Sequence, residues 1–418
     1  MKMIKTKKQR IVNGKALIVT VDISKDKHFG YWRCPDGTDV KPFSFPNNGT
    51  GFFEFWERIS RAKEIHRLDE IVFGYESTGP YGEALVHFMK ARGVRLVQVN
   101  PMHTKRVKEL QGNSPNKTDQ KDPKIIADII QLGRTLTVVI PEGPAAELRR
   151  LTQARERSTE RHTALVNQLQ SLIAIFFPEF LQVVKNVKTA TAHYLLKHCP
   201  TPQGLVAYGL DNLAKTMWNV SRGRFREDRA MALYEAAEAS IGVVEGQASI
   251  LLETQAILAA MEASEKFTEG LEKEMSRQLK QIPYSDSLLS IKGIGEVTAA
   301  GLIGEVGDFR KYSTLGEIMK LAGLDLFEVS SGKHQGTRRI SKRGRPLMRK
   351  LLYFAAMNMV RQGCLMEHHY QRYLDRGMLK TKALIAVARK LLRIIFALVR
   401  DNSVFDHSRT AFQFEEAA

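Results

Sequence analysis

The chain has 418 residues, more than a single hydrophobic core usually sustains, so two or three domains are expected. Hydrophobic residues make up 43% and aromatic residues 8% of the sequence, which excludes a disordered chain. The formal net charge is +18, which favours a polyanionic partner such as nucleic acid, although charge also serves solubility.

The cysteines and the apolar runs indicate the cellular compartment in which the protein works. Cys34, Cys199 and Cys364 form no CxxC pair, so they support neither a zinc site nor a disulfide framework and fit a reducing cytoplasm. The basic N-terminus precedes an apolar run that Asp22 breaks, which makes it a poor signal peptide. No stretch approaches the ~20 uncharged residues of a membrane span. A cytoplasmic protein without a membrane partner is therefore predicted.

After a basic tail at residues 1–10, strands and helices alternate as far as residue 99. A continuous apolar run at 16–21 predicts a strand buried on both faces. The elements predicted after it are hairpin partners at 28–34 and 40–45, joined around Asp36 and Gly37, a helix at 51–66, a strand at 71–75, a helix at 81–92 and a strand at 94–99. This order is that of an RNase H-like α/β fold.

Helical periodicity dominates the rest of the chain. Two long charged stretches, 145–177 and 229–281, predict helices, and the proline-containing segment 178–228 between them predicts a smaller helical insertion. Long paired helices often act as spacers or dimerisation arms, but a bundle that packs on itself explains the pattern equally well. The last part, 285–405, reads as a helix-loop-helix, a loop rich in glycine and arginine, and amphipathic helices near 346–362 and 379–400.

Four acidic residues form a candidate metal site. Asp22 and Glu76 end two buried strands, and carboxylates at the ends of neighbouring parallel strands share one edge of a sheet. Asp119 and Asp122 are three residues apart, so a helix would place them on one face. Oxygen-only ligands suit Mg²⁺ or Mn²⁺. The alternative for the second pair is helix capping, because Pro123 indicates a helix start.

The segment 288–295 resembles a helix-hairpin-helix motif. Gly293 and Gly295 allow a tight turn before a helix, where backbone N–H groups can hold a DNA phosphate, and Lys292 lies in the turn. The alternative is a glycine turn between two packed helices.

Residues 331–350 hold eight lysines and arginines and no acid, and five of these basic residues, between 338 and 345, surround the Ser341 hydroxyl. Guanidinium groups stabilise the charge of a phosphoryl-transfer transition state, and a serine beside them can attack a phosphodiester. A phosphate-binding loop with an incidental serine is equally consistent. The predicted nucleic-acid contacts here are Arg338, Arg339, Lys342, Arg343, Arg345 and Arg349.

Several motifs together resemble the IS110 family of transposases. In the N-terminal part they are VDIS at 21–24, YESTGPY at 75–81, VNP at 99–101 and KTDQKD at 117–122. In the C-terminal part they are IKGIG at 291–295, LAGL at 321–324, SSG at 330–332 and ISKRG at 340–344.

The resemblance implies a RuvC-like metal domain with a tetrad of Asp22, Glu76, Asp119 and Asp122, and a C-terminal domain in which Ser341 is the nucleophile. Ser330 and Ser331 remain alternative nucleophiles, since they follow the same glycine-rich segment. The resemblance also implies a composite site shared between subunits of a dimer or tetramer, donor and target DNA, a structured non-coding RNA, and a location at the prokaryotic nucleoid.

We therefore predict a RuvC-like metal domain at 1–140, a helical linker and dimerisation region at 141–284, and a transposase domain at 285–418. The predicted function is cleavage and rejoining of DNA strands through a phosphoserine, assisted by Mg²⁺ or Mn²⁺. Two alternatives stay open: a RuvC-type two-metal endonuclease that acts on branched DNA, and a non-catalytic nucleic-acid-binding protein.

Overall fold

The computed structural model describes residues 14–76, 79–111, 122–136, 138–328, 336 and 338–406. The chain divides into two compact units. Unit 1 comprises Met1–Ile140 with Tyr312–Glu317, and unit 2 comprises Pro141–Lys311 with Ile318–Ala418.

Unit 1 is built around a five-stranded mixed sheet with the strand order β3-β2-β1-β4-β5. Strands β1, β2 and β3 pair antiparallel, whereas β4 and β5 run parallel to β1. The predicted alternation of strands and helices is confirmed. The elements are β1 (Ala16–Asp22), β2 (Lys27–Arg33), β3 (Phe43–Pro46), α1 (Gly49–Ile65), β4 (Glu70–Glu76), α2 (Glu83–Lys90), β5 (Arg95–Val99), α3 (Pro101–Gln111) and α4 (Asp122–Gln131).

The third strand begins later than predicted. Its paired residues are Phe43–Pro46 rather than 40–45, because Pro42 has no N–H to donate to the ladder. The turn around Gly37 (φ +94°) lies where the sequence predicts it, and the Gly37 N–H donates to the Cys34 carbonyl over 3.1 Å.

Strand β1 is buried on both faces, which explains its continuous apolar run. Leu17, Val19 and Val21 belong to one core cluster, which also includes side chains of α1 and α2. Ala16 and Ile18 belong to a second cluster, which includes the isoleucines of α4. The even-numbered residues of β1 therefore face α4, and this alternation decides where Asp22 projects.

From residue 141 onward the chain is mostly helical, as predicted. The elements are α5 (Pro144–Phe176), α6 (Phe180–Val183), α7 (Ala190–His198), α8 (Pro202–Tyr208), α9 (Leu210–Ser221), α10 (Glu227–Glu238), α11 (Gln247–Leu279), α12 (Ser285–Leu289), α13 (Glu296–Val306), a 3₁₀ turn (Phe309–Lys311), α14 (Leu315–Ala322), β6 (Leu326–Phe327), β7 (Arg339–Ile340), α15 (Pro346–Met359), α16 (Glu367–Asp375) and α17 (Lys380–Arg400).

The helical stretch predicted over 229–281 consists of two helices, because the chain breaks between α10 and α11. Gly246 has φ +74° at this break, a conformation that glycine adopts without strain. Gly242 lies against the end of α5, where a Cβ would stand 2.0 Å from the Phe176 carbonyl oxygen. The two glycines therefore separate two helices that composition alone joins.

Helices α5 and α11 form a long antiparallel pair. Arg155 of α5 donates to Glu272 over 2.7 Å, and Gln168 of the same helix donates to Glu253 over 2.7 Å. Helices α6 to α10 form a separate small core against this pair. In the part of the chain that the structure describes, every helix is too short or too polar to cross a lipid bilayer.

Candidate active site

Asp22 and Glu76 lie side by side at the carboxyl edge of the sheet. Val21 is in register with Tyr75 on the neighbouring parallel strand, so the next residue of each strand is an acid. Asp22 lies on the same face of β1 as Ala16 and Ile18. Glu76 lies on the same face of β4 as Val72 and Gly74. Since side chains alternate along a strand, both carboxylates project on the side of the sheet that α4 covers.

Thr20 brings the start of α4 to the same edge. Its Oγ1 donates to the Pro123 carbonyl over 2.6 Å, and this hydrogen bond is buried. Asp122, the residue before Pro123, therefore begins its helix beside the end of β1. The Asp122 side chain is 14% exposed, and its Oδ2 accepts from Lys108 Nζ of α3 over 2.6 Å.

Asp22 and Glu76 thus end neighbouring strands, and the helix that begins at Asp122 is hydrogen-bonded to β1 close to that edge, whereas Asp119 lies outside the described residues. The donors are all carboxylate oxygens, which fits Mg²⁺ or Mn²⁺ in chemistry. Within the described ranges, no three histidine, cysteine or acidic side chains are already arranged around a metal position. The Lys108 ammonium supplies a positive charge to Asp122.

A Thr20→Val variant is expected to lose about 1–3 kcal/mol of unfolding free energy, because the buried Pro123 carbonyl would keep no donor from Thr20. Urea denaturation measures this loss. Thr163→Val is the matched control: Thr163 donates to a carbonyl on the exposed surface of α5, and a change within about 0.5 kcal/mol is expected there. Equal effects for the two variants would show that Thr20 does not anchor α4.

The predicted hairpin at 288–295 has a turn between α12 and α13. Gly293 has φ +108°, and a Cβ there would lie 2.8 Å from Met359 Cγ. Lys292 and Gly295 are exposed, and Gly295 caps the start of α13. The remainder of α13 is buried, so only its first turn is open to a phosphate. Packing accounts for Gly293, and phosphate contact at this turn stays a prediction.

Ser341 lies in a short backbone segment that is fastened to the end of α14. The Ser341 N–H donates to the Asp325 carbonyl over 2.8 Å, and the Arg345 N–H donates to the Leu321 carbonyl over 2.7 Å. Lys342 adopts φ +53°, and its N–H donates to the Gly323 carbonyl over 2.9 Å. Backbone hydrogen bonds on both sides of Ser341 therefore hold the hydroxyl in a defined place.

The Ser341 hydroxyl is half-buried and accepts a hydrogen bond from the Arg343 N–H over 3.3 Å. A backbone N–H directed at this oxygen stabilises negative charge that develops on it. The arrangement suits an oxygen that becomes more negative as its proton leaves.

Two family models match the chain. The DEDD transposase model of IS110 matches residues 19–178, and the model for the transposase IS116/IS110/IS902 family matches residues 285–371. The chain belongs to the IS110 family of transposases. The first match contains Asp22, Glu76 and Asp122, and the second contains the hairpin and Ser341.

Relatives of nearly full length agree with this membership. The 43.6 kDa protein of insertion element IS110 from Streptomyces coelicolor is 21% identical, covering 92% of this chain and 94% of its own length. The 44.8 kDa protein of IS116 from Streptomyces clavuligerus is 24% identical, covering 93% and 95%. The transposase for IS1111A of Coxiella burnetii is 23% identical, covering 82% and 83%.

In this IS110-family chain, the predicted basic contacts fall into two groups. Arg345 is anchored, since its Nη1 donates to the Glu305 carbonyl and lies 4.0 Å from the Glu305 carboxylate. Arg349 donates to the Ala322 carbonyl over 3.0 Å, and burial lowers the pKa of its guanidinium. Both residues therefore brace the segment that carries the serine.

The other basic residues lie closer to solvent. Lys342, Arg343 and Arg339 are exposed, and Arg338 pairs with Glu328 over 2.8 Å. These four are better placed than the anchored arginines to meet a phosphate. The alternative nucleophiles Ser330 and Ser331 lie outside the described residues.

Sequence reasoning missed two residues of this transposase. Thr20 and Lys108 position Asp122, and neither belongs to a motif. The signal available for Thr20 was a polar residue inside an apolar strand, which calls for a hydrogen-bond partner. Lys108 carried no signal, because its role depends on how α3 packs against α4.

A Gly344→Ala variant is expected to displace residues 341–345, the Ser341 segment. The added Cβ would lie 2.4 Å from both the Gly323 nitrogen and the Leu321 carbonyl oxygen, which are backbone atoms that cannot turn aside. We expect a loss of about 1–3 kcal/mol in unfolding free energy, measured by urea denaturation. Gly270→Ala is the control, because open space surrounds that glycine inside α11 and alanine favours a helix by about 0.5–1 kcal/mol. A stable Gly344→Ala protein would argue against this close backbone packing.

Proposed function

We propose that this protein cleaves and rejoins DNA strands to move an insertion sequence, with Ser341 as the nucleophile and Mg²⁺ or Mn²⁺ as the cofactor. The observation that carries the proposal is the pair of acids, Asp22 and Glu76, at the ends of two neighbouring parallel strands, with the start of α4 hydrogen-bonded to β1 beside them. Such a cluster in a nucleic-acid enzyme has the composition of a site for a divalent cation.

The sheet supports an RNase H-like, RuvC-like assignment of unit 1. The sheet has three antiparallel strands and two strands parallel to β1. Their order, β3-β2-β1-β4-β5, places β1 at the centre with β4 beside it. The central pair is the one that ends in Asp22 and Glu76. The acids therefore stand where two neighbouring parallel strands end, which is the usual position of a site in an open α/β sheet.

The chain's own residues have separate tasks in this proposal. Asp22, Glu76 and Asp122, together with Asp119, would hold the cation. When bound, the cation would polarise a phosphoryl oxygen and orient the scissile phosphate. Lys108 would leave Asp122 as the cation binds. Lys342 and Arg343 would contact the phosphate that meets Ser341.

In the cleavage step, the Ser341 hydroxyl loses its proton to a base and its oxygen forms a bond to phosphorus. The bond from phosphorus to one deoxyribose oxygen breaks, and that oxygen leaves as a hydroxyl after it accepts a proton. In rejoining, a hydroxyl at another strand end attacks the phosphoserine and releases the serine. The number of phosphodiester bonds is conserved, so no external energy source is needed.

The partners in this proposal are donor DNA, target DNA and a structured non-coding RNA that guides both. The net charge of +18 supports polyanionic partners of this kind. We further propose a dimer or tetramer, in which the acids of one subunit serve the serine of another.

The test uses the full-length protein with labelled donor DNA and the candidate RNA encoded beside its gene. The mixture is incubated with Mg²⁺ or with a chelator, then denatured and separated by size. A labelled adduct on the protein that forms only with Mg²⁺ supports strand transfer. Metal-dependent cleavage without an adduct favours the two-metal endonuclease, and binding without cleavage favours the non-catalytic protein.

A further inference from the structure

A cavity of about 360 Å³ lies between α16 and α17, and its lining residues belong to none of the predicted motifs. Its lining comes from two turns of α16 and from positions 386, 389, 390 and 393 of α17, which share one helix face. We call it the α16–α17 pocket. Its lining residues are His369, Arg372, Tyr373, Arg376, Ala386, Arg389, Lys390 and Arg393.

Four arginines and Lys390 line this pocket, and no carboxylate lines it among the residues that the structure describes. Side chains of like charge at this density repel one another, so an anion is the complement that the pocket lacks. The Nε of Arg389 is buried and has no hydrogen-bond partner within the described part of the chain. A buried guanidinium nitrogen without an acceptor is costly, and an oxyanion would supply the acceptor.

The pKa shifts of two lining residues agree with an anion-binding role. Burial, followed by the positive charges of Lys390 and Arg372, lowers the pKa of His369 to about 4. Burial also lowers the pKa of Lys390, with further contributions from Arg393 and Arg372. Burial is the larger cause in both residues, and the neighbouring positive charges add to it; a bound anion would offset the second contribution.

The α16–α17 pocket is connected to the Ser341 segment through Asp325. The Asp325 carbonyl accepts the Ser341 N–H over 2.8 Å, and the Asp325 carboxylate acts on Arg389 from outside the lining. Asp325 therefore lies near both the backbone of Ser341 and Arg389 of the pocket. Tyr373 adds a hydroxyl that can donate to a phosphate oxygen.

We propose that the α16–α17 pocket binds phosphate groups of a polynucleotide strand beside Ser341. Arginine is suited to this task because its planar fork of donors matches a phosphate, and three of the lining arginines are exposed. The shared chemistry is the phosphodiester, whether DNA or RNA supplies it. The proposal rests on the proposed function only in taking the polynucleotide to be the DNA or the RNA of transposition.

The test compares two double variants with equal loss of charge. Arg372→Gln with Arg376→Gln removes two exposed arginines from the pocket, and Arg157→Gln with Arg161→Gln removes two exposed arginines at the same spacing on α5. Binding of full-length protein to labelled duplex DNA and to a labelled stem-loop RNA is measured across salt concentrations, with a chelator present. Without divalent metal, binding is read independently of strand cleavage, so failure here and failure of the proposed function are distinguishable.

We expect the pocket variant to bind at least one probe about 10-fold more weakly near physiological salt, and to reduce the salt slope by about 2. The control should bind within about 2-fold of the wild type. Replacing both pocket arginines by lysine keeps the charge, so it should restore the salt slope, whereas the affinity should recover only in part because lysine lacks the planar fork of donors. Loss with DNA alone assigns the pocket to DNA, and loss with RNA alone assigns it to the RNA. Equal binding by the pocket variant and the wild type would overturn the proposal.

Discussion

A Ser341→Ala variant is expected to form no covalent adduct with DNA and to cleave strands at least about 10³-fold more slowly than the wild type. The methyl group that replaces the hydroxymethyl cannot attack phosphorus, and the second strand end then has no phosphoserine to react with. The measurement is single-turnover cleavage of labelled donor DNA, with adduct quantified after denaturation.

The same variant should fold normally, which makes the result interpretable. The Ser341 hydroxyl accepts one N–H from Arg343 near the surface, and water can replace that acceptor. A change in unfolding free energy within about 0.5 kcal/mol is expected. Ser171→Ala, on the exposed surface of α5, is the control that should leave both adduct and cleavage intact. Cleavage that continues at the wild-type rate in Ser341→Ala would reject the serine mechanism.

Glu76→Gln is expected to reduce strand cleavage by at least about 10²-fold, and Asp22→Asn should act in the same direction. Each change removes one negative charge from the pair of adjacent strand ends while keeping the size of the side chain. In the wild type, Mg²⁺ should raise the thermal unfolding temperature by binding the folded state, and this rise should shrink in both variants.

Strand β4 itself supplies the control for this experiment. Glu70 and Glu76 are the first and last residues of the same strand, so Glu70→Gln makes an identical chemical change at the opposite edge of the sheet. It should leave cleavage and the response to Mg²⁺ unchanged. Equal losses in the two variants would indicate a general effect on the sheet, and cleavage at the wild-type rate in Glu76→Gln would reject the metal assignment.

Local pattern was sufficient for much of unit 1. The apolar runs at 16–21 and 71–75 predicted buried strands, and the structure has β1 and β4 there. It was also sufficient to place Asp22 and Glu76 at strand ends, because each is the first charged residue after a buried run. Failures came where backbone detail decides the outcome, as with Pro42 at the start of β3.

Among the long helices, too, local pattern predicted one part and packing decided the other. Composition predicted the charged helix that the structure has as α5, since helical periodicity persists over the whole stretch. Composition predicted one continuous helical stretch over α10 and α11, because alanine, glutamate and leucine occur on both sides of Gly242 and Gly246. A Cβ at Gly242 would collide with the end of α5, a constraint that exists only once the two segments are packed together.

The sequence identified the basic residues between 338 and 349 as a group, but it could not separate the anchored arginines from the exposed residues. Its arginines have the same chemistry in the sequence, yet Arg345 and Arg349 brace backbone carbonyls whereas Lys342 and Arg343 are exposed. Which donor meets a carbonyl depends on where α13 and α14 end in space. The domain limits at 140 and 284 and the roles of the site residues stay predictions.

The sequence by itself determined the strands, the acids at their ends and the serine among basic residues, because these depend on periodicity and on neighbours in the chain. Only the tertiary structure decided that the start of α4 packs against β1, since a hydrogen bond links Thr20 to Pro123 across 103 positions. It alone also assembled the α16–α17 pocket, because the cations of two separate helices meet only when those helices pack. Contacts between distant residues follow from the packing of whole elements, and no local pattern encodes them.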